Sequence, residues 1–354
     1  MKIIKIGGTA LSNSKSINKF CSSFKNLTTP SIVVVSALGK LSAELKNHFY
    51  SPTSNDNYFP LISIFTEFKH LLCQNYLNQF DEYTLQCQKK LTDIMAGCEI
   101  TEEYLEESLD KILVLGELVS SFFIHCVLKS NNIESQFLDI RGTIITDSNF
   151  GKAEPNVSKS IENLSSLSYS NLTITQGFIA SDKYNNDTTM GFESSNLSAL
   201  LIAKALECDS IDIYTKVNQI HILDPELYDT HQVNYIPYRS AKRLALSGNK
   251  LFFPGMIELA ESRKIVIKYK GLESTKETII SEKDAFDYPV IYKRDNEYII
   301  TPIKSENAIS IIQKYSSEIG DFSYTIQDFT LALIRCELKE IEIQESVISL
   351  LKKH

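Results

Sequence analysis

Lys2-Ile3-Ile4-Lys5-Ile6-Gly7-Gly8-Thr9 opens the chain with a short apolar strand that stops at two glycines. Paired glycines let backbone N–H groups come close to phosphate oxygens, and the lysine before them adds a point charge. The lysine precedes the glycines, so the stretch is not a P-loop, and it lacks the spacing of a dinucleotide fingerprint. A plain tight turn after a strand has the same composition. Residues farther along the chain must decide between a phosphate site and a turn.

Residues 31–37 contain Ile32-Val33-Val34-Val35, the β-branched run of a parallel strand buried on both faces. Residues 14–26 between the two strands carry Ile17, Phe20, Cys21 and Phe24 at helical spacing. Residues 61–130 read as mostly helical, with breaks expected near Gly97 and Gly116. Strands are predicted at 135–139, 143–146, 172–179, 210–217 and 265–268, and a helix at 196–206. This alternation predicts an α/β fold, a three-layer αβα sandwich with a mainly parallel sheet. Its domain is expected over 1–271, followed by a polar linker at 272–294. Residues 295–354 read strand, helix, strand, strand, helix, an α+β ferredoxin-like module short of one strand. Its apolar strand at 329–338 is either an edge that pairs across a dimer or an internal strand under the tail helices.

The chain has 354 residues and a formal net charge of -8, which argues against nucleic acid or an anionic membrane as the main partner. Its seven cysteines are scattered, odd in number and never spaced C-x-x-C, as expected of reduced thiols in a cytoplasm. No signal peptide and no bilayer-spanning stretch is expected.

Further residues could carry chemistry. Ser36-Ala37-Leu38-Gly39-Lys40-Leu41-Ser42 lies at the C-terminal end of the second buried strand, the edge where such sheets bind ligands. Gly116-Glu117-Leu118 could present a carboxylate, or a surface glutamate favouring a helix dipole. Lys250 after Gly248 is a second candidate phosphate cation, or a solvated surface residue.

Together these pieces resemble the aspartate kinases of the amino acid kinase superfamily. Lys5-Ile6-Gly7-Gly8-Thr9 is similar to their K-F-G-G-T-S opening, residues 33–39 to V-V-S-A-x-G, and Gly116-Glu117-Leu118 to their G-E segment. Thr146-Asp147, Phe150-Gly151 and Ala153 resemble T-D…F-G-x-A, and Gln176-Gly177-Phe178-Ile179 resembles Q-G-F-I-G. Asp224-Pro225 is similar to D-P-R, and residues 248–254 to G-A-K-V-L-H-P. The order is that of the family over roughly 2–270, and the tail resembles one ACT module.

The resemblance implies ATP-dependent phosphoryl transfer to the side-chain carboxylate of aspartate, with Mg2+ carried on the ATP phosphates and no metal site in the protein. Lys5 and Lys250 would hold phosphates, and Gly7 and Gly8 would offer amides. Ser36, Ser42, Glu117, Phe192 and Asn196 would surround the acceptor, Glu117 taking its amino group. Thr9, Tyr214, Thr215, Lys216 and Asp224 would line the nucleotide. The expected partner is a small amino acid or related acid, and the expected assembly a homodimer, with the C-terminal module as candidate contact.

One loop departs from the family. Its G-R-G-G-S-D is here Gly191-Phe192-Glu193-Ser194-Ser195-Asn196. The arginine that clamps the substrate carboxylate becomes Phe192, and the aspartate that organises the phosphate lysines becomes Asn196. The T-D-V segment is Thr215-Lys216-Val217, which offers Lys216 as a new phosphate cation. Three readings stand together: a divergent aspartate kinase, a kinase for another small acceptor, and an inactive nucleotide-binding or partner subunit.

Overall fold

The computed structural model of the chain describes residues 1–51, 60–191, 194–247, 249, 251–253, 255–294, 297–318, 322–327, 329–334 and 339–351. These form two compact units, Met1–Lys216 and Val217–His354. The first contains β1 (Lys2–Ile6), α1 (Ser14–Ser22), β2 (Ser31–Val35), α2 (Leu41–Tyr50), α3 (Pro60–Ser63), α4 (Gln74–Thr101) and α5 (Glu106–Ser130). Then come β3 (Gln136–Phe137), β4 (Ile145–Thr146), α6 (Val157–Ser166), β5 (Leu172–Gln176), β6 (Ile179–Asp182), β7 (Asp187–Thr189), α7 (Ser195–Ala205) and β8 (Ser210–Thr215).

Within this unit β8, β1, β2, β5 and β3 pair in that order, all parallel. Every residue of β2 and β5 is buried, as strands covered on both faces must be. Helix α5 packs on β2 and β5, and α7 packs on β1, β2 and β8. These are the layers of the expected αβα sandwich. Register places Ile6 beside Val35 and Tyr214, and Val35 beside Gln176. The strands thus end level, and their C-terminal loops share one edge. A small separate sheet joins β4, β6 and β7.

Neither Gly97 nor Gly116 breaks a helix; α4 runs through the first and α5 through the second. The break comes at Glu102, which takes a left-handed conformation. Gly116 instead answers a packing demand: a Cβ there would sit 2.8 Å from Leu45 Cδ1 of α2. Helix α5 is also long and apolar enough to cross a membrane by length and composition, against the expectation that no such stretch exists. In this fold it is a core helix, with 83% of its most apolar window buried. The six described cysteines are unpaired.

The second unit contains β9 (Ile220–His221), β10 (Gln232–Val233), β11 (Tyr235–Pro237), α8 (Tyr238–Leu246), α9 (Met256–Arg263), β12 (Val266–Gly271) and β13 (Glu277–Ser281). It continues with β14 (Val290–Arg294), β15 (Glu297–Thr301), α10 (Ser305–Glu318), β16 (Ser323–Gln327), β17 (Thr330–Ile334) and α11 (Glu340–Leu351). Residues 272–294, expected to be a linker, hold β13 and β14. Strand β13 pairs with both β11 and β12, and polar Glu277, Thr278 and Ser281 hide its alternation. Strand β14 begins an antiparallel sheet ordered β14-β15-β17-β16. It supplies the strand missing from the ferredoxin-like reading, entering ahead of β15 rather than after α11. Strand β17 lies inside this sheet, so the edge reading of 329–338 fails for its described part. Of the two edge strands, β14 and β16, it is β16 whose side chains are all exposed.

Candidate active site

The Gly7–Gly8 turn is built into the sheet edge by backbone contacts. Gly7 N–H donates to the Tyr214 carbonyl at 3.0 Å, and Ser36 N–H to the Ile6 carbonyl at 3.2 Å. The Gly8 carbonyl accepts from Gly39 N–H at 3.2 Å. A Cβ on Gly8 would lie 1.8 Å from the Ala37 carbonyl oxygen, so only glycine fits there. A Cβ on Gly7 would meet ordinary contacts, one of them Lys5 Nζ at 3.6 Å. The buried Lys5 therefore carries its ammonium over the turn.

Helix α5 faces this turn with polar groups set in an apolar sequence. Glu117 is buried and accepts the Ala37 N–H. Burial pushes its carboxyl up to about 8, against the opposing pull of the Ala37 amide and the Lys5 charge. Its Oε2 has no partner among the described residues. One turn on, Ser120 Oγ accepts from Leu38 N–H at 3.0 Å. Ser121 Oγ accepts from Gln176 Nε2 at 2.9 Å, and Gln176 Oε1 in turn accepts from Ile140 N–H at 3.0 Å. One helix thus holds the ends of both β2 and β5.

Beyond β5, Gly177 lies against the start of α7. A Cβ on it would come within 2.5 Å of Ser195 Cβ. Phe178, at a left-handed φ of 69°, donates its N–H to Ser198 Oγ at 3.1 Å. Gly191 also has a positive φ, and its carbonyl accepts from Ser194 N–H at 3.2 Å. Phe192, with its neighbour Glu193, lies outside the described residues. Asn196 and Ser194 are buried, and neither Asn196 Oδ1 nor Ser194 Oγ has a partner among the described residues.

The sheet edge thus brings Lys5, Gly7, Gly8, Ser36, Glu117 and Tyr214 together, with Ser42 half-buried in the first turn of α2. Thr9 is exposed just beyond the glycines. Thr215 ends β8 half-buried, and Lys216 follows it exposed. Asp224 belongs to the second unit, where its carboxylate accepts from Glu226 N–H at 2.9 Å. Lys250 and Gly248 lie outside the described residues, whereas Asn249 between them is buried.

The amino acid kinase family model matches residues 1–268. The chain belongs to the amino acid kinase family. It is 26% identical over 268 residues to the aspartokinase of Chlamydia muridarum, covering 75% of this chain and 59% of that protein. It is 31% identical over 154 residues to the lysine-sensitive aspartokinase 3 of Escherichia coli, covering 42% of this chain and 34% of that protein. The chain thus spans three-fifths or less of these curated relatives. Its fold is that of E. coli aspartokinase III, solved in complex with aspartate and ADP: the TM-score is 0.75 at 19% identity, over 98% of this chain and 84% of that one.

Within this family scaffold, several groups that build the site carry no sequence signal of their own. The Ala37 amide and the hydroxyls of Ser120, Ser121 and Ser198 are joined to it only by the folded contacts. The nearest hint is Ser120-Ser121 inside the apolar run of α5, where buried hydroxyls must find partners.

Proposed function

We propose that this chain transfers the terminal phosphoryl group of ATP to the side-chain carboxylate of a small amino acid, with L-aspartate, giving 4-phospho-L-aspartate, as the leading acceptor. The observation that carries the proposal is the pairing of buried Lys5, set over the Gly7–Gly8 turn, with Glu117 across from it. Lys5 would offset charge that develops on the moving phosphoryl group, and the glycine amides would orient it. The Glu117 Oε2, which no described residue pairs, suits an incoming ammonium group. Lys250, Lys216, Thr9, Tyr214, Thr215 and Asp224 are proposed for the nucleotide side. Ser36, Ser42, Phe192 and Asn196 are proposed for the acceptor side.

Mg2+ would arrive on the nucleotide phosphates and neutralise part of their charge. The protein's share is then amides and ammonium groups, which the turn and Lys5 supply. A cytoplasmic homodimer is proposed as the working form, with the exposed edge β16 as its candidate contact.

One observation favours a second reading. Phe192 cannot form the bidentate contact of an arginine, and Asn196 leaves its buried Oδ1 without a described partner. A kinase for a different acceptor, or an inactive nucleotide-binding or partner subunit, fits those two substitutions. Hydroxylamine trapping of the acyl phosphate with ATP, Mg2+ and aspartate decides between them. Hydroxamate above a no-enzyme control supports the first reading. Its absence with aspartate but presence with another carboxylic acid moves the acceptor. Silence with every acceptor, together with calorimetric binding of an ATP analogue, leaves the nucleotide-binding subunit.

A further inference from the structure

Asp110 is a buried acid on α5, yet no part of the proposed chemistry uses it. Its Oδ1 accepts from Thr189 Oγ1 at 2.6 Å, and its Oδ2 from Thr189 N–H and Gly151 N–H, each at 2.9 Å. The Thr189 carbonyl is held as well, accepting from Ala153 N–H at 2.9 Å. Thr189 is thus pinned at hydroxyl, amide and carbonyl. Directly after it, Met190 N–H donates to the Phe178 carbonyl at 2.9 Å, and the loop that reaches Asn196 departs from Gly191.

The far end of that loop is fixed by a separate set of contacts, those of Ser195 and Ser198 against Gly177 and Phe178. The described stretches on either side, 189–191 and 195–198, are anchored separately. Asp110 holds the first, and it sits two helical turns before Glu117 on α5. The same helix therefore carries the carboxylate that faces the turn and the carboxylate that sets where the loop begins.

We propose that Asp110 is the positioning residue of the acceptor loop, fixing its departure point relative to Glu117. Uncompensated, a buried carboxylate is costly, and here three donors meet it. The place of this charge is explained by what it holds rather than by its contribution to the core. The inference rests on reading 191–196 as the acceptor loop, and the test separates the two.

Asp110→Leu removes the acceptor of all three donors, whereas Asp110→Asn could keep an oxygen on the Thr189 and Gly151 amides and turn its NH2 to the Thr189 hydroxyl. With Asp110→Leu, hydrogen exchange is expected to rise about tenfold or more at the amides of 189–191 and 194–198, with β1 and residues 36–41 unchanged. In the trapping assay the KM for the acceptor is expected to rise about tenfold, with the KM for ATP within about twofold of wild type. Thr189→Val, which removes only the hydroxyl contact, is expected to move both readouts in the same direction and by less, and Thr189→Ser to restore them. This pair also serves if Asp110→Leu does not fold. Unchanged exchange at 189–198 overturns the inference, as does an equal rise in both KM values. If wild type gives no product while the exchange pattern appears as expected, the acceptor reading fails and the positioning role of Asp110 stands.

Discussion

The Gly7–Gly8 turn after β1 and the start of α7, which lies against Gly177 after β5, share one sheet edge with only β2 between β1 and β5, and they are finished in opposite ways. At the turn, protein meets protein: Gly8 fits under Ala37 with no room for a methyl, and its carbonyl is paired. At α7, Ser194 and Asn196 bury polar atoms that no described residue satisfies. A buried polar atom without a partner costs about 1–3 kcal/mol. The turn is closed by its own backbone contacts, whereas the helix start keeps polar atoms that are unsatisfied among the described residues. Two of the substitutions away from the family pattern, Phe192 and Asn196, fall at or next to the second region.

The largest expected effect lies at the turn. Lys5→Met removes the one described cation seated over the glycines, and kcat/KM is expected to fall about 10³-fold or more. Wild-type turnover in this variant would place the phosphate elsewhere and dissolve the contrast. The glycines sharpen it further. Gly8→Ala drives a Cβ to 1.8 Å from a carbonyl oxygen and is expected to cost about 3 kcal/mol of stability, read as a fall in Tm. Gly7→Ala meets contacts of 3.5 and 3.6 Å at an ordinary φ of -75°, and is expected to leave Tm nearly unchanged while slowing turnover.

The loop invites the reverse experiment, a gain. Phe192→Arg with Asn196→Asp restores a bidentate donor and a charge that organises the lysines. Aspartate-dependent turnover is expected to rise about 10- to 100-fold, the scale of one or two charge-assisted contacts. No gain from the pair would mean that the loop is not what limits transfer to aspartate.

The two regions also differ in how far they can be read from residues alone. The strand, the glycines and the β-branched run of β2 are local patterns, and the fold obeys them because buried parallel strands must be apolar throughout. Gly116 misleads because propensity predicts a break where packing against Leu45 demands a small residue. Strand β13 is hidden because Thr278, polar in sequence, is buried with its hydroxyl donating to the Val233 carbonyl and accepting from Ile220 N–H. Glu117 can be picked out by its place in a family motif. Its unpaired oxygen, and the three donors meeting at Asp110, arise from residues far apart in sequence. No periodicity reports such contacts.

The mildest test concerns protons. Glu117 titrates near 8 because burial outweighs the Ala37 amide and Lys5. Below that pH the carboxyl in the free protein is mostly neutral and cannot pair with an ammonium group. A cationic amine therefore binds with release of a proton. The acceptor KM is expected to fall as pH rises from 6 to 8, by up to about tenfold per unit, and to level off above 8. Stability runs the other way. The folded pKa is raised, so this group's contribution is full below the unfolded value near about 4 and is lost as pH climbs toward 8. Glu117→Gln is expected to abolish the pH dependence of KM, holding it high throughout, and to raise Tm at pH 8 relative to wild type. A flat acceptor KM in wild type alongside the expected Tm shift would leave Glu117 as a buried acid without a ligand. The acceptor would then have to be sought at the orphan atoms of Ser194 and Asn196.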